Sequence, residues 1–155
     1  MADAGATTCT PCTKCCSDAT TVVACDAGST SDVVQCNVNA GFYGDGISSC
    51  KPCKTCCVNA TTSNQCLGGT TSDTVVCTVK AGYYGDGVNT CAPCTTCCRD
   101  ATATSLCGAG SSSNTVVCTV NAGFYGDGVS ACSRCKTCCP NATASSLCAA
   151  GGTSD

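Results

Sequence analysis

Apolar positions in this chain come in short β-branched runs, not in stripes of helical spacing. The clearest are DVVQCNV (Asp32–Val38), DTVVCTV (Asp73–Val79) and NTVVCTV (Asn114–Val120), and Val-rich runs of this length read as strands. An aromatic pair and Gly-Asp-Gly soon follow each run: FYGDGI from Phe42, YYGDGV from Tyr83 and FYGDGV from Phe124. Gly-Asp-Gly between an aromatic pair and a β-branched residue is a hairpin signal, because glycine permits the positive φ of tight turns. Stretches such as CTPCTKCC (Cys9–Cys16) hold too much Cys, Thr and Pro for a helix, and Leu stands only at positions 67, 106 and 147.

The runs recur because the chain repeats. Cys9, Cys50, Cys91 and Cys132 are 41 residues apart, and every other cysteine keeps that register. One repeat reads C-x2-C-x2-C-C-x8-C-x10-C-x13. The boundaries that follow are residues 1–8 as a lead-in ending a preceding repeat, then 9–49, 50–90, 91–131 and a partial fourth repeat over 132–155. The sixth cysteine of that repeat would fall past Asp155, which accounts for the odd total of 23 cysteines. The chain is expected to be part of a longer array. Each repeat is expected to hold two small hairpins tied by about three disulfides.

Composition sharpens this picture. Twenty-three cysteines in 155 residues mark a cross-linked scaffold, and there is no Trp, His or Glu. With charged residues at 11%, Leu nearly absent and Ser and Thr abundant, an ordinary apolar core cannot form and cross-links must replace it. Cysteine at this density points to an oxidising, extracellular setting. No run approaches the roughly 20 apolar residues of a membrane span, and MADAGATTC shows no basic segment followed by an apolar one, so a mature or partial sequence is expected. A net charge of −3 offers no basic patch for nucleic acid.

Candidate chemistry is sparse. Asp45, Asp86 and Asp127 in the Gly-Asp-Gly segments would each give calcium one carboxylate without flanking acids, a poor hard-cation site. They read better as turn residues, with Tyr43, Tyr84 and Tyr125 packing on disulfides or a neighbouring repeat. C-x2-C-x2-CC also matches thiolate clusters of the metallothionein kind, but the Val runs, Tyr pairs and long gaps favour disulfides, so no metal or cofactor is expected. Without His, Glu or a phosphate loop, no catalytic residue is identified, and no flat Thr-x-Thr ladder suggests ice binding. The strongest modification signals are Asn59-Ala-Thr61 and Asn141-Ala-Thr143, acceptor tripeptides for N-linked glycans. The first and third repeats carry Asp18 and Asp100 at that place, so acceptors alternate. Asn64-Gln-Cys66 and Asn89-Thr-Cys91 fit only a rarer variant, and Ser111–Ser113 and Thr61–Thr62 are candidates for O-linked sugar.

The stretch NTVVCTVNAGFYGDGVSACSRCKTCC (Asn114–Cys139) resembles the cysteine-rich modules of the tumour necrosis factor receptor-like, ephrin receptor-like and epidermal growth factor-like groups. Those modules read D-T-x-C-x-C-x-x-G-Y-Y-G-D-G and then C-x2-C-x2-C. Two departures stand out: Val38, Val79 and Val120 replace the second cysteine of C-x-C, and Cys16, Cys57, Cys98 and Cys139 are extra. The resemblance implies the bonds Cys53–Cys66, Cys56–Cys77 and Cys50–Cys57 in the second repeat, with equivalents elsewhere. It also implies an extracellular setting, since similar repeats occur in surface coats and flagellar hairs of microbial eukaryotes.

The expected fold is a small disulfide-rich, all-β/irregular one, with tandem 41-residue modules stacked as a linear rod. The expected role is a non-enzymatic extracellular structural protein, a glycosylated fibre or surface coat. Its partners would be other copies of itself and covalent glycans. The alternatives are a receptor or adhesin ectodomain and a metallothionein-like protein.

Overall fold

The computed structural model describes residues 10–137 and 148–155. These form two compact units. One holds the described residues up to Thr55 with Ser63–Val76, and the other holds Cys56–Thr62 with Cys77–Asp155. Among the described residues there is no helix, only short strands.

In the first unit, β1 (Ala19–Val23) pairs antiparallel with β2 (Gln35–Val38), from Ala19 opposite Val38 to Val23 opposite Gln35, with a bulge between Thr21 and Val23. Thr-Thr-Val-Val suits an extended backbone because branching at Cβ restricts χ1 and packs well on a pleat. β2 starts only at Gln35 because Asp32 takes the Val34 N–H at 3.1 Å, which fixes a turn ahead of the strand. The hairpin is tied by Cys15–Cys36, with Cα atoms 5.6 Å apart, and Asn39 N–H donates to Asp18 O at 2.8 Å. β3 (Phe42–Tyr43) then pairs with β4 (Lys51–Pro52), Phe42 facing Pro52 and Tyr43 facing Lys51. The returning strand begins at Lys51 and not at Ile47, because the residues between form a turn organised by Asp45. Pro52 lacks an N–H, which a two-stranded edge tolerates.

Two further strands, β5 (Ala60–Ser63) and β6 (Val76–Val79), follow along the chain. Within the second unit Lys80 N–H donates to Asn59 O at 2.8 Å, the counterpart of the Asn39–Asp18 bond. There β7 (Tyr83–Tyr84) pairs with β8 (Ala92–Pro93), β9 (Ala101–Ser105) with β10 (Val117–Val120), and β11 (Phe124–Tyr125) with β12 (Ser133–Arg134). The β9–β10 register shifts between Val117 and Cys118, the same kind of bulge as in β1–β2.

Ten disulfides join the described residues, and their sequence separations fall into three sets. Cys12–Cys25, Cys53–Cys66, Cys94–Cys107 and Cys135–Cys148 span 13 residues. Cys15–Cys36, Cys56–Cys77 and Cys97–Cys118 span 21. Cys16–Cys50, Cys57–Cys91 and Cys98–Cys132 span 34. The last set corrects the expected Cys50–Cys57 bond, since each of those cysteines bonds elsewhere. The backbone gives the reason. Cys16 N–H donates to Gly46 O at 3.0 Å and Cys57 N–H to Gly87 O at 2.9 Å. Cys16, Cys57 and Cys98, each the second cysteine of its CC pair, are thus held against the Gly-Asp-Gly loop that leads into the first cysteine of the next repeat.

The apolar core is small. Val38, Val79 and Val120 are at most 3% exposed, joined by Val75 and Cys107. These three valines stand two residues after Cys36, Cys77 and Cys118, so each strand that carries a bonded cysteine also carries a buried aliphatic side chain. Burying one valine is worth about 1.5–3 kcal/mol. Ordering a backbone costs about 1–2 kcal/mol per residue, so cross-links must limit the disorder of the unfolded chain.

Candidate functional site

The repeated heptapeptide, Ala40–Gly46 and its counterparts Ala81–Gly87 and Ala122–Gly128, is the most specifically built feature of the chain. Asp45 Oδ1 accepts the N–H groups of Ile47, Ser48 and Ser49 at 2.8–2.9 Å, and Oδ2 accepts the Ser48 hydroxyl. Asp86 does the same for Val88, Asn89 and Thr90, with the Asn89 side-chain amide on its second oxygen. Asp127 collects Val129, Ser130, Ala131 and the Ser130 hydroxyl.

Charge-stabilising donors lower a carboxyl pKa. The Ser48 hydroxyl, followed by the Ile47 and Ser49 amides, holds Asp45 at about 2. The Thr90 and Val88 amides lead in holding Asp86 at about 2. The Ser130 hydroxyl and then the Ala131 amide hold Asp127 well below the usual carboxylate range. With Oδ1 engaged by three N–H groups and no second acid beside it, each carboxylate is a poor calcium site. What these residues can do is anchor a turn.

Glycine is required where the turn closes on itself. A Cβ on Gly44, at φ +139°, would lie 2.0 Å from the Ser49 carbonyl oxygen, and Gly85 and Gly126 meet Thr90 and Ala131 in the same way at 2.1 Å. The tyrosines lie beside this turn. Tyr43 and Tyr84 are half-buried opposite Lys51 and Ala92, and Tyr125 is half-buried opposite Ser133.

Each heptapeptide is in turn covered by the segment that follows the fifth cysteine of the next repeat. Gly41 N–H donates to Cys66 O at 2.9 Å, Gly69 N–H to Val38 O at 2.9 Å and Gly44 N–H to Thr70 O at 3.0 Å. The same three bonds join Gly82 to Cys107, Gly110 to Val79 and Gly85 to Ser111, and again Gly123 to Cys148, Gly151 to Val120 and Gly126 to Gly152. Cys66 Sγ lies 3.6 Å from Phe42 O, which sets the Cys53–Cys66 disulfide against the loop.

A second constellation was not singled out in the sequence. Asp32 accepts Thr13 N–H at 2.7 Å, Asp73 accepts Lys54 N–H at 2.9 Å and Asp155 accepts Lys136 N–H at 3.1 Å, with Asn114 facing Thr95 in the third repeat. Each donor follows the second cysteine of its repeat, and its acceptor lies 19 residues on. A signal was present in the sequence, namely an Asp or Asn at every 41-residue step from position 32. Thr13 lowers the Asp32 pKa through its hydroxyl and then its amide, and the Lys54 amide leads in lowering that of Asp73. These acids stand beside Cys12 and Cys25, Cys53 and Cys66, and Cys135 and Cys148, with donor atoms within 4.8 Å. The paired sulfurs are bonded to each other, so they offer a metal no thiolate.

Asn59 is half-exposed, on the turn closed by Ala60 N–H donating to Cys57 O at 2.9 Å. Thr61 is exposed, and its hydroxyl donates to Thr78 O at 3.2 Å. Asn141 lies outside the described residues. An open depression of about 610 Å³ between Gly82, Cys94, Thr95, Leu106 and Val116 is lined by apolar groups and threonines and offers no titratable side chain. No described helix is long and apolar enough to cross a membrane. No protein-family model, curated protein or solved structure matches the chain.

Proposed function

We propose that the chain is a non-enzymatic extracellular structural protein, in which a disulfide-stapled and glycosylated repeat builds a fibre or surface coat. The observation that carries this reading is the recurrence of one junction. The same three backbone hydrogen bonds and the same disulfide of separation 34 are found wherever a heptapeptide meets the next repeat. A recognition protein needs a locally distinct face. Identical junctions instead favour indefinite extension, and stability in repeat proteins comes largely from such neighbour contacts. Dense disulfides fit an oxidising extracellular setting. N-linked glycans on Asn59 and Asn141 would shield a chain with little core, and the half-exposed turn at Asn59 supports the first of these sites.

The test is to secrete the chain from a eukaryotic host, then measure its intact mass with and without reductant alongside a thiol titration. Nearly all cysteines should be oxidised, and the excess mass should come in sugar-sized steps that shrink on Asn59→Gln. About twenty titratable thiols with a mass shift on chelation would sink the reading in favour of a metal-thiolate protein. In the electron microscope, long filaments are the expected outcome, and a monodisperse particle that captures one ligand would favour a receptor.

A further inference from the structure

The disulfides divide the chain into closed blocks. Cys12–Cys25, Cys15–Cys36 and Cys16–Cys50 overlap along the sequence and together enclose residues 12–50. Cys53–Cys66, Cys56–Cys77 and Cys57–Cys91 enclose 53–91 in the same way. Cys94–Cys107, Cys97–Cys118 and Cys98–Cys132 enclose 94–132, and Cys135–Cys148 opens the next block. No described disulfide passes over Lys51-Pro52, Ala92-Pro93 or Ser133-Arg134, the dipeptides that form β4, β8 and β12. One peptide bond cut inside a block leaves the pieces joined through sulfur, whereas one cut in a linker parts them. Of the three cysteines outside the described bonds, Cys138 and Cys139 both follow Arg134 and only Cys9 precedes it.

The basic residues fall unevenly on this framework. Lys14, Lys54, Lys80, Arg99 and Lys136 lie inside blocks. Lys51 lies in a linker but precedes Pro52, whose ring replaces the N–H and blocks proteases that read a basic side chain. Arg134 alone stands in a linker with an ordinary amide after it, that of Cys135. It also breaks the register. Cys12, Cys53 and Cys94 follow Pro11, Pro52 and Pro93, and only Cys135 follows an arginine.

The backbone there suits a protease. Ser133 and Arg134 are exposed and already extended, paired with Tyr125 and Phe124 in a sheet of two strands. Extended segments dock on a partner by adding a strand to it, and β12 has one edge without a strand among the described residues. The bond to be cut is held by Cys135 N–H donating to Gly123 O at 2.9 Å, so cleavage follows the opening of a two-residue pairing, a small local event. Pro52 and Pro93 sit at the same place opposite Phe42 and Tyr83, so the fold itself does not require an arginine.

We infer that Ser133-Arg134 is a release site, at which an arginine-directed protease divides the array with a single cut. Water adds across the Arg134–Cys135 peptide bond, its oxygen to the Arg134 carbonyl carbon and a proton to the Cys135 nitrogen. The inference deepens the reading of a disulfide-stapled structural array, because it names where such an array can be trimmed.

The test is limited digestion of the secreted, oxidised full chain with trypsin, read as intact mass under denaturing conditions without reductant. Residues 1–134 and 135–155 should come apart, while cuts after the block lysines and Arg99 should only add one water each. Arg134→Pro, checked for full oxidation by thiol titration, should abolish the division. Pro52→Arg, checked in the same way, should add a second division in the first linker. Absence of either change counts against the inference. An oxidised full chain that stays undivided overturns it and leaves the structural reading standing. Division at Lys54 or Lys80 without reductant overturns both, because the bonds that make the junctions would then be missing.

Discussion

Gly85 and Gly82 stand three residues apart in one heptapeptide, both at positive φ, yet they answer to different constraints. At φ +137° a Cβ on Gly85 would overlap the Thr90 carbonyl oxygen, whereas Gly82, at φ +85°, has open space around it. Gly82→Ala is therefore charged only for a left-handed backbone, about 1 kcal/mol, while Gly85→Ala adds a collision with backbone and should cost more than about 3 kcal/mol. Denaturant titration of the two variants checks the ordering, and equal losses would mean that the loop is not closed on Thr90. The aspartate between these glycines makes a second prediction. Asp45 and Asp86 ionise at about 2 in the folded chain against an ordinary 3.8, and Asp127 is depressed in the same sense. A depressed carboxyl stabilises the fold above its unfolded pKa and loses that contribution as pH falls through the folded value. The melting temperature should be flat above about pH 4 and fall between about pH 4 and 2. Replacing all three aspartates with asparagine should flatten that fall, as a thermal melt series against pH would show.

Among the elements, the Cys57–Cys91 bond separates the observed connectivity from the one that the module resemblance implied. Cys57→Ser with Cys91→Ser removes one complete bond, so it should leave no new free thiol and destabilise by about 2–4 kcal/mol. Cys50→Ser with Cys57→Ser should instead strand Cys16 and Cys91, adding two titratable thiols. Thiol counting on the two variants decides it. The reason this bond was not legible is physical. Spacing along the chain places the extra cysteine of each CC pair, but its partner is chosen by the Cys57 N–H bond to Gly87 O, a contact between the two ends of one repeat that leads Cys57 to the first cysteine of the next. The strands divide in the same way. β2, β6 and β10 lie within the Val runs and were legible from composition. β1 (Ala-Thr-Thr-Val-Val) and β9 (Ala-Thr-Ala-Thr-Ser) are more polar and were not singled out, and their extended form is completed by pairing with β2 and β10. The Gly-Asp-Gly turn was visible too. Its strand partner was not, since Asp45 holds Ile47–Ser49 in the turn and postpones the return to Lys51.

For the whole molecule, what resists unfolding can be weighed from its parts. Five buried apolar residues and a single ion pair among the described residues, between a largely exposed Lys136 and Asp155 at 3.4 Å, are set against the ordering of a chain with only two-stranded sheets. An exposed pair of this kind contributes about 0–1 kcal/mol. Removing even one of the ten described disulfides costs about 2–4 kcal/mol, a large part of the 5–15 kcal/mol by which typical domains are stable, and reduction removes all of them. Full reduction should therefore unfold the chain at room temperature, seen as collapse of amide dispersion and loss of protection at Gly69 and Gly110. Chelator should do nothing, because each heptapeptide carboxylate stands without a second acid and holds its own turn, and the described cysteines are bonded to one another. If chelation unfolded the chain and reductant left it intact, thiolate coordination would be holding it, and the junctions would have to be rebuilt around metal instead of disulfide.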